Sequence, residues 1–217
     1  MGFRGLGGPK RDRLKLTGSG PPLDGAAVVR AAARFDLGLE PSVPAFYSAV
    51  VLLACAGLLW VNGRTERGSR DRWDWWILAI VFVALAIDES VMIHEMANDT
   101  LQQLLGTSGV LFFAWIIPGA LFTAAVAAFS LRLLRRLDAR TRRLFVVAGG
   151  VFVGGAIGME MLAGPIVQAH GAESLEHALE QVVEETMEMT GALIFLYALL
   201  DHLGRTVGTV RLSIGAR

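Results

Sequence analysis

Five stretches of the chain are apolar almost throughout: Ser42 to Asn62, Asp74 to Met96, Ser108 to Leu131, Leu144 to Val167 and His177 to Leu203. A helix rises 1.5 Å per residue, so a stretch of about 20 residues matches the roughly 30 Å hydrocarbon core of a bilayer. The pattern predicts an all-α integral membrane helical bundle of about five transmembrane helices. Composition agrees. Of 217 residues, 53% are apolar and 18% charged, with a mean hydropathy of +0.51, where a soluble domain carries about 25% charged residues.

Several function classes fall away. Lys+Arg equals Asp+Glu at 20 each, and the basic residues sit in short connections instead of forming a face, which argues against nucleic acid as a partner. A single cysteine, Cys55, lies mid-stretch among Leu53, Ala54 and Ala56, so no disulfide framework is available and Cys55 reads as a small buried hydrophobe. The first 40 residues contain no apolar run of signal-peptide length.

Charge asymmetry gives the topology. No Lys or Arg occurs from Trp73 to Leu131 or from Leu144 to Gly204. Arg64, Arg67, Arg70 and Arg72 follow the first stretch, Arg132, Arg135, Arg136, Arg140, Arg142 and Arg143 the third, and Arg205 and Arg211 the fifth. The connections Asn98 to Thr107 and Gln168 to Glu176 hold none. By the positive-inside rule the Arg-rich connections and the C-terminus are cytoplasmic, and five spans then place the N-terminus outside, in a multi-pass protein of a bacterial inner membrane. Trp60, Trp73, Trp75 and Trp76 are expected to form an aromatic belt at the cytoplasmic interface.

The chain divides into an N-terminal tail (1–41), a transmembrane bundle (42–204) and a cytoplasmic C-terminal tail (205–217). Within the tail, Met1 to Pro22 is rich in Gly, Pro and basic residues and reads as disordered. Asp24 is positioned to cap a short helix with Val28, Ala32, Phe35 and Leu39 on one face, suited to lying along the membrane surface.

Acid inside the spans is the informative feature. The second stretch holds Asp88, Glu89, His94 and Glu95, the fourth Glu160, and the fifth Glu180, Glu184, Glu185 and Glu188. Each charge at the centre of a membrane helix costs roughly 2.5 to 3.5 kcal/mol, and no Lys or Arg of these stretches offsets it. The counter-charges left are protons, a few histidines or a bound cation. Counted from the Arg-rich ends, Asp88 stands about 21 Å up its span, Glu160 about 24 Å and Glu188 about 22 Å, so three helices bring a carboxylate to one level.

Helical phase selects among them. Glu184 and Glu188 form an i, i+4 pair with His177 and Gln181 on the same stripe, and Asp88 and Glu95, seven apart, share a face. The expected metal ligands are therefore Asp88, Glu95, Glu160, Glu184 and Glu188. Glu89, His94, His177, Gln181 and Glu185 take edge or supporting positions, with Glu89 and Glu185 about 100° round from the main stripes. Facing carboxylates with occasional His are the ligands of di-iron and di-manganese bundle sites, although the Glu-x-x-His motif of those sites is absent. Oxygen-rich ligation with a His or two suits a divalent ion, Fe, Mn or Zn. Met92, Met96, Met159, Met161, Met187 and Met189 lie in the same region; thioethers suit Cu(I), but in apolar spans they more often pack.

Gly150, Gly154 and Gly158 recur every four residues and read as a close helix-packing surface, open to use between copies in a homo-oligomer. Pro118 is expected to kink the third span. The first stretch, with no charge between Ala45 and Trp60, is expected to be peripheral.

The pairs Asp88-Glu89 and His94-Glu95, followed by Glu184-Glu185-x-x-Glu188-Met189, resemble those of a set of uncharacterised bacterial polytopic membrane proteins. The resemblance covers the second to fifth stretches and implies importance for these positions without naming a reaction.

Two function classes remain: a membrane metalloprotein, as an oxidoreductase or hydrolase with its site in the outer half of the bilayer, and a proton- or cation-coupled transporter or channel subunit using the same acids as a relay. A transport path needs polar groups on both sides, yet Ile77 to Ile87, Phe145 to Ile157 and Ala192 to Leu200 are apolar. The sequence therefore favours a one-sided site.

Overall fold

A computed structural model describes residues 43–207. The expected disordered segment and surface helix of the N-terminal tail, and residues 208–217 of the C-terminal tail, lie outside the described residues. Seven α-helices form the bundle: α1 (Val43–Thr65), α2 (Ser69–Val91), α3 (Ile93–Leu105), α4 (Ile116–Arg136), α5 (Ala139–Val153), α6 (Glu160–His170) and α7 (Leu175–Val207). A six-residue π-helical segment, Gly154–Met159, joins α5 to α6 in one rod.

Three helices, Pro44–Thr65, Ile116–Arg136 and Ala139–His170, are long and apolar enough to cross a membrane. The pair Arg70–Val91 and Ile93–Leu105, bent by 78°, makes a fourth if it is one span. At 33 residues α7 is long enough, but its run of glutamates keeps it out of that group. The apolar criterion thus gives three or four spans where the sequence pattern suggested five.

The core explains which residues became helix-facing. Leu52, Cys55 and Leu59 of α1, Trp75 and Leu78 of α2, Leu133 of α4, Phe145 and Ala148 of α5 and Leu199 of α7 form one buried cluster. The first stretch packs against both α2 and α7, with the Cys55 thiol against the Ala192 carbonyl at 3.7 Å, so it belongs to the core of the bundle although it carries none of the acids. Trp75 leaves the expected belt for the same reason. It is fully buried, its indole donates to Glu66 Oε1 at 3.0 Å and its ring stacks on His202. Trp60 and Trp76 stack at the surface with Trp73 edge-on.

Ion pairs close the Arg-rich end. Arg132 and Arg136 of α4 both reach Asp71 and Asp74 of α2, with Arg132 to Asp71 at 2.7 Å and Arg136 to Asp74 at 3.1 Å. Arg205 bridges Asp201 at 2.8 Å and Asp138 at 3.1 Å. Asp138 also caps α5, accepting from the backbone amides of Arg140 and Thr141 and from the Thr141 hydroxyl at 2.7 Å. The Thr141 hydroxyl and the Arg205 guanidinium hold the Asp138 carboxyl well below the usual carboxylate range.

The opposite end departs from the sequence pattern. The second apolar stretch is not one helix to Met96, because it breaks at Met92, whose backbone is left-handed (φ 58°, ψ 43°). Asn98 to Thr107 is largely the helix α3 instead of a loop, and the polar residues there secure it: Asn98 Oδ1 accepts from the Ala114 amide at 2.7 Å and Gln102 donates to the Phe112 carbonyl at 3.1 Å. The third span consequently starts at Ile116 and not Ser108. Pro118 falls in the first turn of α4, where its missing N–H removes no helical bond, so it starts the helix instead of kinking it.

Candidate metal and ligand site

α2, α3, α4, the α5–α6 rod and α7 line a cavity of about 1070 Å³. All ten residues singled out from the sequence line it: Asp88, Glu89, His94, Glu95, Glu160, His177, Gln181, Glu184, Glu185 and Glu188. The lining contains no Lys or Arg, and none of the methionines. Met187 instead packs against the α5–α6 rod, its Cε 3.1 Å from where a Cβ on Gly154 would stand.

Within the cavity the acids fall into three groups, which phase counting on ideal helices does not separate. Asp88 is taken up by the break in α2. Its Oδ1 accepts the His94 backbone amide at 3.1 Å and its Oδ2 meets His94 Nδ1 at 2.8 Å. The carboxylate therefore caps the start of α3, where amides lack helical partners. His94 thus comes onto Asp88, and its ring leans on Trp115 at 4.8 Å. Glu95, past the break, is exposed at the cavity rim and no longer shares a stripe with Asp88.

The second group joins the rod to α7. Glu160 Oε1 accepts the Trp115 indole N–H at 3.1 Å, and the Glu160 carboxyl stands within hydrogen-bonding reach of Glu184. Two carboxyls in that contact require a proton or a cation between them. Glu180, buried, comes next along α7, with His177 Nδ1 at 3.4 Å from its Oε2.

The third group is Glu89 of α2 with Glu185 and Glu188 of α7, which present oxygens that all lie within 4.8 Å of one another. Glu185 Oε2 is enclosed, with no hydrogen-bond partner among the described residues. Helical phase assigned Glu89 and Glu185 to the edge, yet here they stand at the centre. The reason is that α7 serves two neighbours, offering Glu184 to α6 on one side and Glu185 to α2 on the other, with Glu188 between. In the rod, the extra residue of the π segment turns Glu160 and the rest of α6 by about 100° relative to a regular helix.

Glycine sets the approach of the rod to α7. A Cβ on Gly155 would stand 2.9 Å from the Glu184 carbonyl oxygen and 3.0 Å from Glu188 Cγ, and one on Gly191 would stand 2.6 Å from the Phe152 amide nitrogen. The close-packing glycines are thus Gly155 and Gly191, with Gly154 at the margin. Gly150 and Gly158 of the expected stripe face open space within the chain.

Below the acids the cavity wall is apolar and aromatic. Phe82 stacks on Phe195 at 4.7 Å, Phe195 meets Phe145 at 4.5 Å, and Phe145 meets Trp75 edge-on at 6.2 Å. No curated protein and no solved structure matches the chain. Residues 17–203 match the family model of DUF8692, a domain of unknown function, and the chain belongs to that family.

Proposed function

We propose that the chain is an integral membrane protein of metalloenzyme type, in which Glu89, Glu185 and Glu188 hold a divalent cation, Fe, Mn or Zn. The observation that carries this reading is the convergence of those three carboxylates from two helices to within 4.8 Å. An ion with ligands at about 2.1 Å needs oxygens roughly 3 to 4 Å apart, so a small inward rotation of the carboxyls completes the set. Glu95, Glu160, Glu184 and Asp88 supply further oxygens along the same wall, and His94 a nitrogen at the rim. A cation so held would activate water for hydrolysis or exchange electrons with a bound substrate. The Arg-rich end faces the cytoplasm in this reading and the acids lie in the outer half of the bilayer.

The row Glu160, Glu184, Glu180 and His177 supports a second reading, a proton relay. The two make different predictions for protein purified in mild detergent. For a metal site, wild type carries near-stoichiometric metal, the Glu185→Gln/Glu188→Gln double variant carries none, and metal raises the melting temperature until a chelator reverses it. Binding also releases protons, because the carboxylates must shed them first, so occupancy falls on acidification. Absence of metal, together with no melting shift from Fe, Mn or Zn at neutral pH, would overturn the metal reading in favour of the relay.

A further inference from the structure

We propose that the cavity binds a long-chain cationic amphiphile, an alkylammonium head lodged at the acids and an alkyl chain laid along the apolar wall beneath them. This rests on the membrane reading but not on the metal. Two features of the cavity carry it. Its lining is divided by level, with the eight acidic side chains toward the α3 end and Phe82, Leu134, Phe145 and Phe195 toward the Arg-rich end. A hydrated ion or small polar substrate has no use for that lower arm.

The length of the arm is set by the helix rise. From Asp88 to Leu78 is ten residues of α2, about 15 Å, and both residues line the cavity. That matches a straight alkyl chain of about a dozen carbons, and burial of each methylene is favourable. The arm is also open where filling is simplest to read. Gly149 and Gly150 line it, and a Cβ on either meets nothing within 4 Å.

Charge complementarity fixes the head. Among the lining residues the only basic side chains are His94 and His177, and His94 is engaged by Asp88 at 2.8 Å. A phosphate or carboxylate head would meet carboxylates, whereas an ammonium is attracted to them and to the Trp115 ring. A divalent ion at Glu89, Glu185 and Glu188 takes up three of the eight acids and leaves Asp88, Glu95, Asp99, Glu160 and Glu184 to face the head, so the preference for a cationic head survives metal loading.

Entry is through the wall made by α4. Along Ile116–Arg136 only Ile116 and Leu133 are buried, and Phe122, which lines the cavity, is 46% exposed. An amphiphile already dissolved in the bilayer reaches the arm sideways past this helix, chain first, without crossing the acidic end.

The test uses the full chain in lipid nanodiscs, titrated with dodecyltrimethylammonium or laurate at matched mole fractions in the bilayer. Saturable, stoichiometric binding of the ammonium is expected, tighter than laurate by about tenfold or more. In a Gly149→Leu/Gly150→Leu variant the ammonium should be excluded while metal content and helical circular dichroism stay at wild-type values. Conversely, chelator treatment of the wild type should strip the metal and leave ammonium binding in place, which separates this inference from the metal reading. Equal binding of laurate, no saturable binding above empty nanodiscs, or undiminished binding by the folded glycine variant would overturn it. Should the double leucine variant misfold, Gly150→Ala and Gly149→Ala, each only one methyl larger, supply a graded series; no weakening across it would equally count against the proposal.

Discussion

Both ends of the bundle are rich in carboxylates, and they are handled in opposite ways. At the Arg-rich end Asp71, Asp74, Asp138 and Asp201 each face a guanidinium, and those pairs tie α2 to α4 and α7 to the cap of α5. At the other end Glu89, Glu160, Glu184, Glu185 and Glu188 line a cavity that no Lys or Arg enters. The acids of the first end are supplied with cations from the sequence; those of the second face one another with no Lys or Arg among the lining residues, and in the proposed function their counter-charge comes from outside. The comparison teaches that neutralising a carboxylate should have opposite signs at the two ends.

Asp74→Asn gives the largest effect. Asp74 is buried and meets Arg132 at 3.5 Å and Arg136 at 3.1 Å, and removing one partner of a buried pair leaves the other charge stranded. Because both arginines are partly exposed, the loss is put at about 3 kcal/mol, the low end for such pairs. Chemical denaturation in mild detergent measures it; a change within error would erase the distinction between the ends.

Glu185→Gln should act the other way in chelator-treated protein. Relief of repulsion among three carboxylates within 4.8 Å stabilises the metal-free form by about 1 kcal/mol. The gain should disappear or reverse when metal is added, since the variant then forgoes a ligand. A Glu185→Gln protein that is less stable than wild type in both conditions would make the cluster structural, like the other end.

The smallest effect belongs to Asp138. Its folded carboxyl is held below the usual range by Thr141 and Arg205, so the stabilisation it gives is present above the unfolded carboxylate value of about 4 and fades as pH falls through and below that value. Thr141→Val should flatten that acid-side slope, melting slightly below wild type near neutral pH, by a small amount because the Asp138 carboxyl is at the surface, and converging with wild type toward pH 3. A melting profile from pH 3 to 7 in both proteins reads it.

The sequence exposed the large features and hid the local ones. Apolar runs and Arg placement located α1, the α5–α6 rod and the acid level, because hydrophobicity and charge are properties of residue type. What escaped were departures from a regular helix. The Met92 break needs Asp88 to cap a helix six residues ahead, a pairing with no sequence signature at that spacing. That Glu184 meets α6 while Glu185 turns to α2 depends on which neighbour lies on each side of α7, a tertiary fact. Asn98, Gln102 and Gln168 suggested a loop by polarity, yet each of them bonds backbone at the turn after α3, Gln168 through the Gly109 amide at 2.8 Å.

Gly155 brings the backbone of the rod against the backbone of α7 at Glu184 and beside Glu188. Main chain bearing on main chain works as a fixed gauge: while position 155 stays glycine, the approach of the rod to α7 at Glu184 is set by backbone atoms. The aromatic residues further down are free of that constraint, so the shape of the lower arm can be varied by substitution while the carboxylates keep their registration. One molecule thereby separates the dimension that must be held from the dimension that can be tuned, and a redesigned chain pocket would inherit its acidic head unmoved.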